Sequence, residues 1–310
     1  MIRCNIWLPF FQKLPLCMPK SKPPITGKYI DPLVDFAFKK IFGSEPNKNL
    51  LIAFLNEVLR GRKHIADLVY SKNEHPGDLK GEGGAIFDLL CTAANGEQFL
   101  IEVQRGRQDN FKERALFYTS RLISDQAPKG RRTAWGYNLT EVYLIALLED
   151  FTLAGSAEQA YLHDICLCNR DTGKIFYDKL GYTYIELGKF VKTDAELETD
   201  LQKWLYVLKN MSSMDKIPAY LRKPIFEKLF SIAEYSNLTK EEKTMYDRSL
   251  KYKWDNENVL AYAVNEEREK ERAKALEEKR AIAREMKNDG LPFAQIAKYT
   301  KLTVEEIEKL

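Results

Sequence analysis

Asp88 stands in the apolar run Ile86-Phe87-Asp88-Leu89-Leu90, and Glu102 in Leu100-Ile101-Glu102-Val103-Gln104. A carboxylate in such a run is costly to bury unless a cation or hydrogen-bond donors meet its charge. Asn95-Gly96 lies between the two runs and predicts a tight two-residue hairpin turn with positive φ. That hairpin brings the two carboxylates within reach of each other, where they repel. A divalent metal relieves the repulsion. Hard Mg²⁺ or Mn²⁺ prefers carboxylate, carbonyl and water oxygens and needs few protein ligands, so a substrate phosphate can complete its shell. The expected ligands are Asp88, Glu102 and the carbonyl of Val103. Alternation along the strand places Gln104 on the face of Glu102, where it can orient the metal-bound water or touch a phosphate. The corresponding chemistry is metal-assisted hydrolysis of a phosphate ester.

The elements that must position these residues follow from the periodicity. Asp31-Pro32 reads as a helix cap followed by a first-turn proline, opening a short helix that carries Val34, Phe38, Ile41 and Phe42 and stops at Gly43. A second helix places Leu51, Phe54, Leu55, Val58 and Leu59 on one face and ends at Gly61. The period then changes, giving strands at 68–71, 86–92 and 99–104 and a helix from Asn110 to Ser124. Further strands are expected at Val142–Leu148, Tyr161–Cys168 and Lys174–Tyr177. Beyond about residue 190 the pattern is helical. Residues 265–287 are dominated by Glu, Lys and Arg and read as a solvated helix or weak coiled coil. The last stretch reads as helix, tight turn and capped helix, with Thr303 as cap and Glu306 in the capping-box position.

These readings divide the chain into four parts: a tail or misassigned start at 1–28, an α/β domain at 29–190, a helical region at 191–264, and a charged helix with terminal hairpin at 265–310. A chain of 310 residues with 45% apolar and 30% charged residues buries a full core and is not a disordered protein. The net charge is only +3, so any nucleic-acid contact must come from local patches. Cysteines at 4, 17, 91, 166 and 168 lack zinc-site spacing and fit a reducing cytoplasm, with Cys166 and Cys168 read as buried free thiols. No stretch reaches the roughly 20 apolar residues of a spanning helix. His64, His75 and His163 lack ligand spacing, and no phosphate-cradling Gly-x-x-x-x-Gly-Lys motif occurs.

The arrangement of Asp88 followed by Glu102-Val103-Gln104 resembles the PD-(D/E)XK nuclease superfamily, and more closely its transposase-associated, recombination-promoting branch. The resemblance is carried by Asp31-Pro32-Leu33-Val34-Asp35-Phe36-Ala37-Phe38-Lys39-Lys40-Ile41-Phe42-Gly43, by Asn56-Glu57-Val58-Leu59, and by Arg114-Ala115-Leu116-Phe117-Tyr118. It covers residues 29–150 best. It implies an α/β, restriction-endonuclease-like αβββαβ core with a C-terminal helical extension, and a Mg²⁺-dependent DNA endonuclease. Asp88 and Glu102 would be metal ligands, assisted by an acid of the preceding helices, Asp35 or Glu57. The superfamily pattern usually ends in lysine, where this chain has Gln104, which removes a cation near the attacking water.

Each assignment has a plainer competitor. An acid followed by Glu-x-Gln recurs by chance, but two apolar strands across a turn favour a site over a structural ion pair. Asp35 equally suits a first helical turn by complementing the helix dipole. Glu57, beside Arg60 and Arg62, reads as surface charge. Arg105 and Arg107 after the strand, and Lys129, Arg131 and Arg132 after the next helix, are the candidate DNA contacts, although such clusters are usually just solvated. Thr303 to Leu310 carries Glu305, Glu306 and Glu308, which favours a partner or homo-oligomer contact there over DNA reading. A catalytically silent nuclease fold that binds DNA or protein is the competing reading of the whole chain.

Overall fold

A computed structural model describes residues 27–310, apart from 73, 76–84, 107, 109, 129–134, 151 and 154. Most of the tail expected at 1–28 thus lies outside the described residues. The first helix, α1 (Asp35–Phe42), opens later than Asp31-Pro32 suggests. Asp31 Oδ1 accepts the Leu33 N–H at 3.0 Å. This local bond competes with helix formation, and extended Val34 becomes the cap. Helix α2 (Lys48–Val58) follows, burying Leu50, Leu51, Phe54, Leu55 and Val58 as its periodicity requires.

Strand β1 (Leu68–Tyr70) precedes a minor antiparallel pair, β2 (Glu74–His75) with β3 (Ala85–Ile86). Strands β4 (Leu89–Ala93) and β5 (Gln98–Gln104) form the expected hairpin, then come α3 (Phe111–Ser124) and β6 (Val142–Leu148). This is the αβββαβ order. The hairpin loop is longer than the two residues that Asn-Gly suggests. Ala93 and Glu97 close it around three residues, and Gly96 takes φ of 88°. A type I turn followed by a left-handed residue is the usual three-residue solution.

Strands β7 (Leu162–Cys168) and β8 (Ile175–Glu186) complete a six-stranded sheet of order β1-β4-β5-β6-β8-β7. β8 far outruns the short strand expected at 174–177. Its two central pairings, β5 with β6 and β6 with β8, are parallel and the others antiparallel. β6 is buried along its whole length. Its alternation sends Tyr143, Ile145 and Leu147 into one core and Val142, Leu144, Ala146 and Leu148 into another. The first core also takes the apolar faces of α1, α2, α4 (Asp200–Asn210) and α5 (Pro224–Ala233), centred on Trp204 against Phe42, Phe54 and Phe226. The second lies beneath α3, with Phe111, Ala115 and Leu122 on Tyr182 and Tyr184. β7 is the sheet's outer strand, and this exposes Cys168 and half-exposes Cys166, correcting the expectation that both are buried.

Gly181 lets β8 run close past β6. A methyl there would sit 2.8 Å from Tyr143 Cδ1 and 2.9 Å from Cε1. Gly181→Ala is therefore expected to cost about 1–3 kcal/mol by overpacking, read as a lower urea midpoint with unchanged slope. An unchanged midpoint would mean that the Tyr143 ring yields freely.

The long helix α6 (Lys240–Asn288) continues past Trp254, where the chain divides into two compact units. The second unit, from Asp255, ends in α7 (Phe293–Thr300) and α8 (Val304–Glu308). Ala283, Ile296, Leu302 and Ile307 form its small core. Lys301 turns the chain at φ of 60°, and Thr303 and Glu306 make the reciprocal capping box. Among the described residues no helix is long and apolar enough to cross a membrane.

Candidate active site

Asp88 lies in a bend just before β4, released from the strand so that its side chain turns to the end of β5. There its Oδ2 accepts the Val103 N–H at 2.7 Å. Register pairs Leu89 with Ile101, which places Asp88 across from Glu102. Glu102 is 6% exposed, and its Oε1 is buried without any hydrogen-bond donor. Burial, and next the charge of Asp88, push the Glu102 carboxyl up to about 8, with Arg114 opposing. Asp88 is raised too, chiefly by burial; the bond from Val103, Lys39 and Arg105 oppose the rise, and Asp35 adds to it. Two facing carboxyls, one half-buried and one buried with an oxygen that lacks any donor, favour retention of a proton when no metal is bound.

That arrangement suits a hard divalent cation, which would displace the proton and satisfy the orphaned oxygen. Among the described residues no group of three His, Cys, Asp or Glu side chains gathers, so such an ion would complete its shell with a backbone carbonyl, water and substrate oxygens. A family profile described as PD-(D/E)XK nuclease family transposase matches residues 32–263. The chain belongs to that family. No curated protein and no solved structure matches it.

In this family member the end of β5 is occupied differently from the lysine-bearing pattern. Gln104 Nε2 donates to the Gly106 carbonyl at 2.9 Å, and its Oε1 accepts from the Arg114 guanidinium. Arg114 rises from the first turns of α3 and stacks over Phe111 and Tyr118, 5.0 and 5.7 Å from the ring centroids. Tyr118 in turn packs edge-on against Phe87 at 5.1 Å. Arg114 enters the site only through the packing of α3 on the sheet; in the sequence its sole mark is the segment Arg114–Tyr118.

The other candidates separate. Asp35, at the start of α1, is exposed and pairs with Lys39 at 2.9 Å, and its charge reaches Asp88. Glu57 lies on α2, 3.6 Å from Arg60, and is not among the largest influences on Asp88 or Glu102. Arg105 donates to the Leu33 carbonyl, at 2.9 Å from Nε, and lies 4.0 Å from Glu149, so it ties the segment before α1 to the strand end. Arg107, Lys129, Arg131 and Arg132 lie outside the described residues. Val103 stands between Glu102 and Gln104 with its N–H given to Asp88.

Proposed function

We propose that the protein hydrolyses phosphodiester bonds of DNA with the help of Mg²⁺ or Mn²⁺ held by Asp88, Glu102 and the Val103 carbonyl. The observation that carries this reading is the buried Glu102 Oε1, left without a donor beside the half-buried carboxylate of Asp88. When bound, the ion supplies charge neutralisation at the phosphate and an acidified water. The chain does the positioning. The Val103 N–H fixes one Asp88 oxygen and leaves the other for coordination. Gln104, clamped by Gly106 and Arg114, presents a fixed polar edge at the strand end. Arg114 offsets charge on Glu102.

Cleavage of supercoiled plasmid by wild type and Asp88→Asn, with Mg²⁺ or Mn²⁺, tests the reading. The variant should lose several kcal/mol of transition-state stabilisation, about 10³-fold in rate, and should take up less Mn²⁺. The clamped Gln104 favours a second reading, a nuclease fold that binds DNA without cutting it. On that reading neither protein cleaves, and DNA affinity is indifferent to Asp88→Asn.

A further inference from the structure

Gln104 has both polar ends engaged, so it cannot supply what a lysine at that position would: a positive charge free to face the attacked phosphate. Among the described residues, Arg114 and Lys39 are the cations among the largest influences on Glu102. Arg114 is committed, bonded to Gln104 and flanked by two ring faces. Lys39 is held differently. It lies on α1, whose end abuts the start of β4: a methyl on Gly43 would meet the Leu89 side chain at 2.7 Å and Lys39 Cα at 3.3 Å. The backbone at Lys39 thus lies near the side chain of Leu89, the residue next to Asp88. Its ammonium pairs with Asp35 at 2.9 Å, and the two side chains remain 40% and 56% exposed. An exposed pair of this kind is worth little and parts readily. Both residues line an open cleft of ≈ 800 Å³ with Ser44, Asn47 and Arg248. Lys39 is thus a half-exposed cation on the helix that abuts the strand following Asp88.

We propose that Lys39 is a catalytic residue, the cation that touches the scissile phosphate, and that the DNA strand enters along the cleft it lines with Asp35 and Arg248. This rests on the nuclease reading and deepens it. Lys39 keeps its proton throughout and pairs with a non-bridging phosphate oxygen. Water's oxygen bonds to phosphorus and the bond to the leaving sugar oxygen breaks. Water's proton passes to solvent, and the leaving oxygen takes one from solvent.

The test uses full-length wild type, Lys39→Gln and Lys39→Arg. Three readouts are taken: single-turnover plasmid cleavage with Mg²⁺, Mn²⁺ affinity without DNA, and binding of labelled duplex in Ca²⁺. Lys39→Gln should cleave about 10²–10³-fold more slowly, as when one preorganised donor to a developing charge is lost. Its DNA affinity should fall with a salt slope smaller by about one. Its Mn²⁺ affinity should hold or rise, because a like charge has left the acidic pair. Lys39→Arg should recover at least about tenfold of the rate, since it restores a phosphate-pairing cation. Cleavage by Lys39→Gln at the wild-type rate overturns the inference and leaves the nuclease reading standing. Equal loss in both variants together with weakened Mn²⁺ binding also overturns it, since that is what a distorted α1 would do. A wild type that neither cuts nor binds DNA overturns both.

Discussion

Glu102→Gln should make the metal-free protein more stable while removing its ability to cut. Burial, helped by Asp88, lifts the folded carboxyl to about 8 from an ordinary 4.5. Between those values the unfolded chain has released its proton and the native chain has kept it. Native protein then binds more protons, so stability falls as pH rises from about 4.5 to about 8. That rise corresponds to at most about 5 kcal/mol. Glutamine cannot ionise, so the variant lacks this slope and fits the same space with an amide. Urea unfolding in EDTA should show the variant more stable by a few kcal/mol at pH 8 and close to wild type at pH 5. Added Mn²⁺ should stabilise only wild type, and increasingly as pH climbs toward 8, because uptake must expel the retained proton. Cleavage should drop about 10³-fold or more. A variant less stable than wild type at pH 8 would mean that Glu102 is ionised without metal, held by Arg114, and the retained-proton account would fail.

Such a trade of stability for function explains why the acidic pair could be read in the sequence at all. Asp88 and Glu102 each interrupt an apolar run, and a residue that breaks its local pattern without evident gain marks a site. The central strands were equally legible, because β5 and β6 carry the apolar runs that a doubly covered sheet demands. What could not be read depends on tertiary placement. The clamp of Gln104 by Arg114 exists only once α3 lies on the sheet. Lys39 reads as a helix-end cation until Gly43 sets α1 against Leu89. The full length of β8 was hidden by Gly181, which punctuates a strand in sequence yet is placed there because the Tyr143 ring leaves no room for a side chain.

Lys253→Met should be the most damaging single change to the stability of the first unit. Lys253 is 9% exposed, donates to Asp31 Oδ2 at 2.8 Å and pairs with Glu149 just past the end of β6. The partners are 222 and 104 residues away, which is why no local pattern announces them. The Tyr246 hydroxyl accepts the Asp31 N–H at 2.9 Å, so α6 is fixed both to the segment before α1 and to the sheet. Glu149 N–H in turn donates to the Gln104 carbonyl at 2.9 Å, one step from the acidic pair. Methionine keeps the stem and removes the charge, leaving two half-buried carboxylates with Arg105, 4.0 Å from Glu149, in partial compensation. Removing one partner of a buried pair costs about 3–5 kcal/mol.

The pH dependence separates this from a packing defect. Burial already pushes Glu149 up to about 7, against the pull of Lys253. In wild type, the contribution of Glu149 therefore stops falling with pH near 7. Without the ammonium the folded carboxyl rises further, and the variant goes on losing stability above that point. The deficit should be smaller near pH 5.5, where folded Glu149 holds a proton in both proteins and the lost charge pair is that with Asp31, and should reach its full size by pH 8 to 9. Lys253→Met/Glu149→Gln should regain a substantial part of the loss at high pH, since it removes one of the stranded charges. A deficit that is the same at pH 5.5 and 8.5, and that the second substitution leaves untouched, would assign the cost to the lost Asp31 pair and to packing, and remove Glu149 from the account.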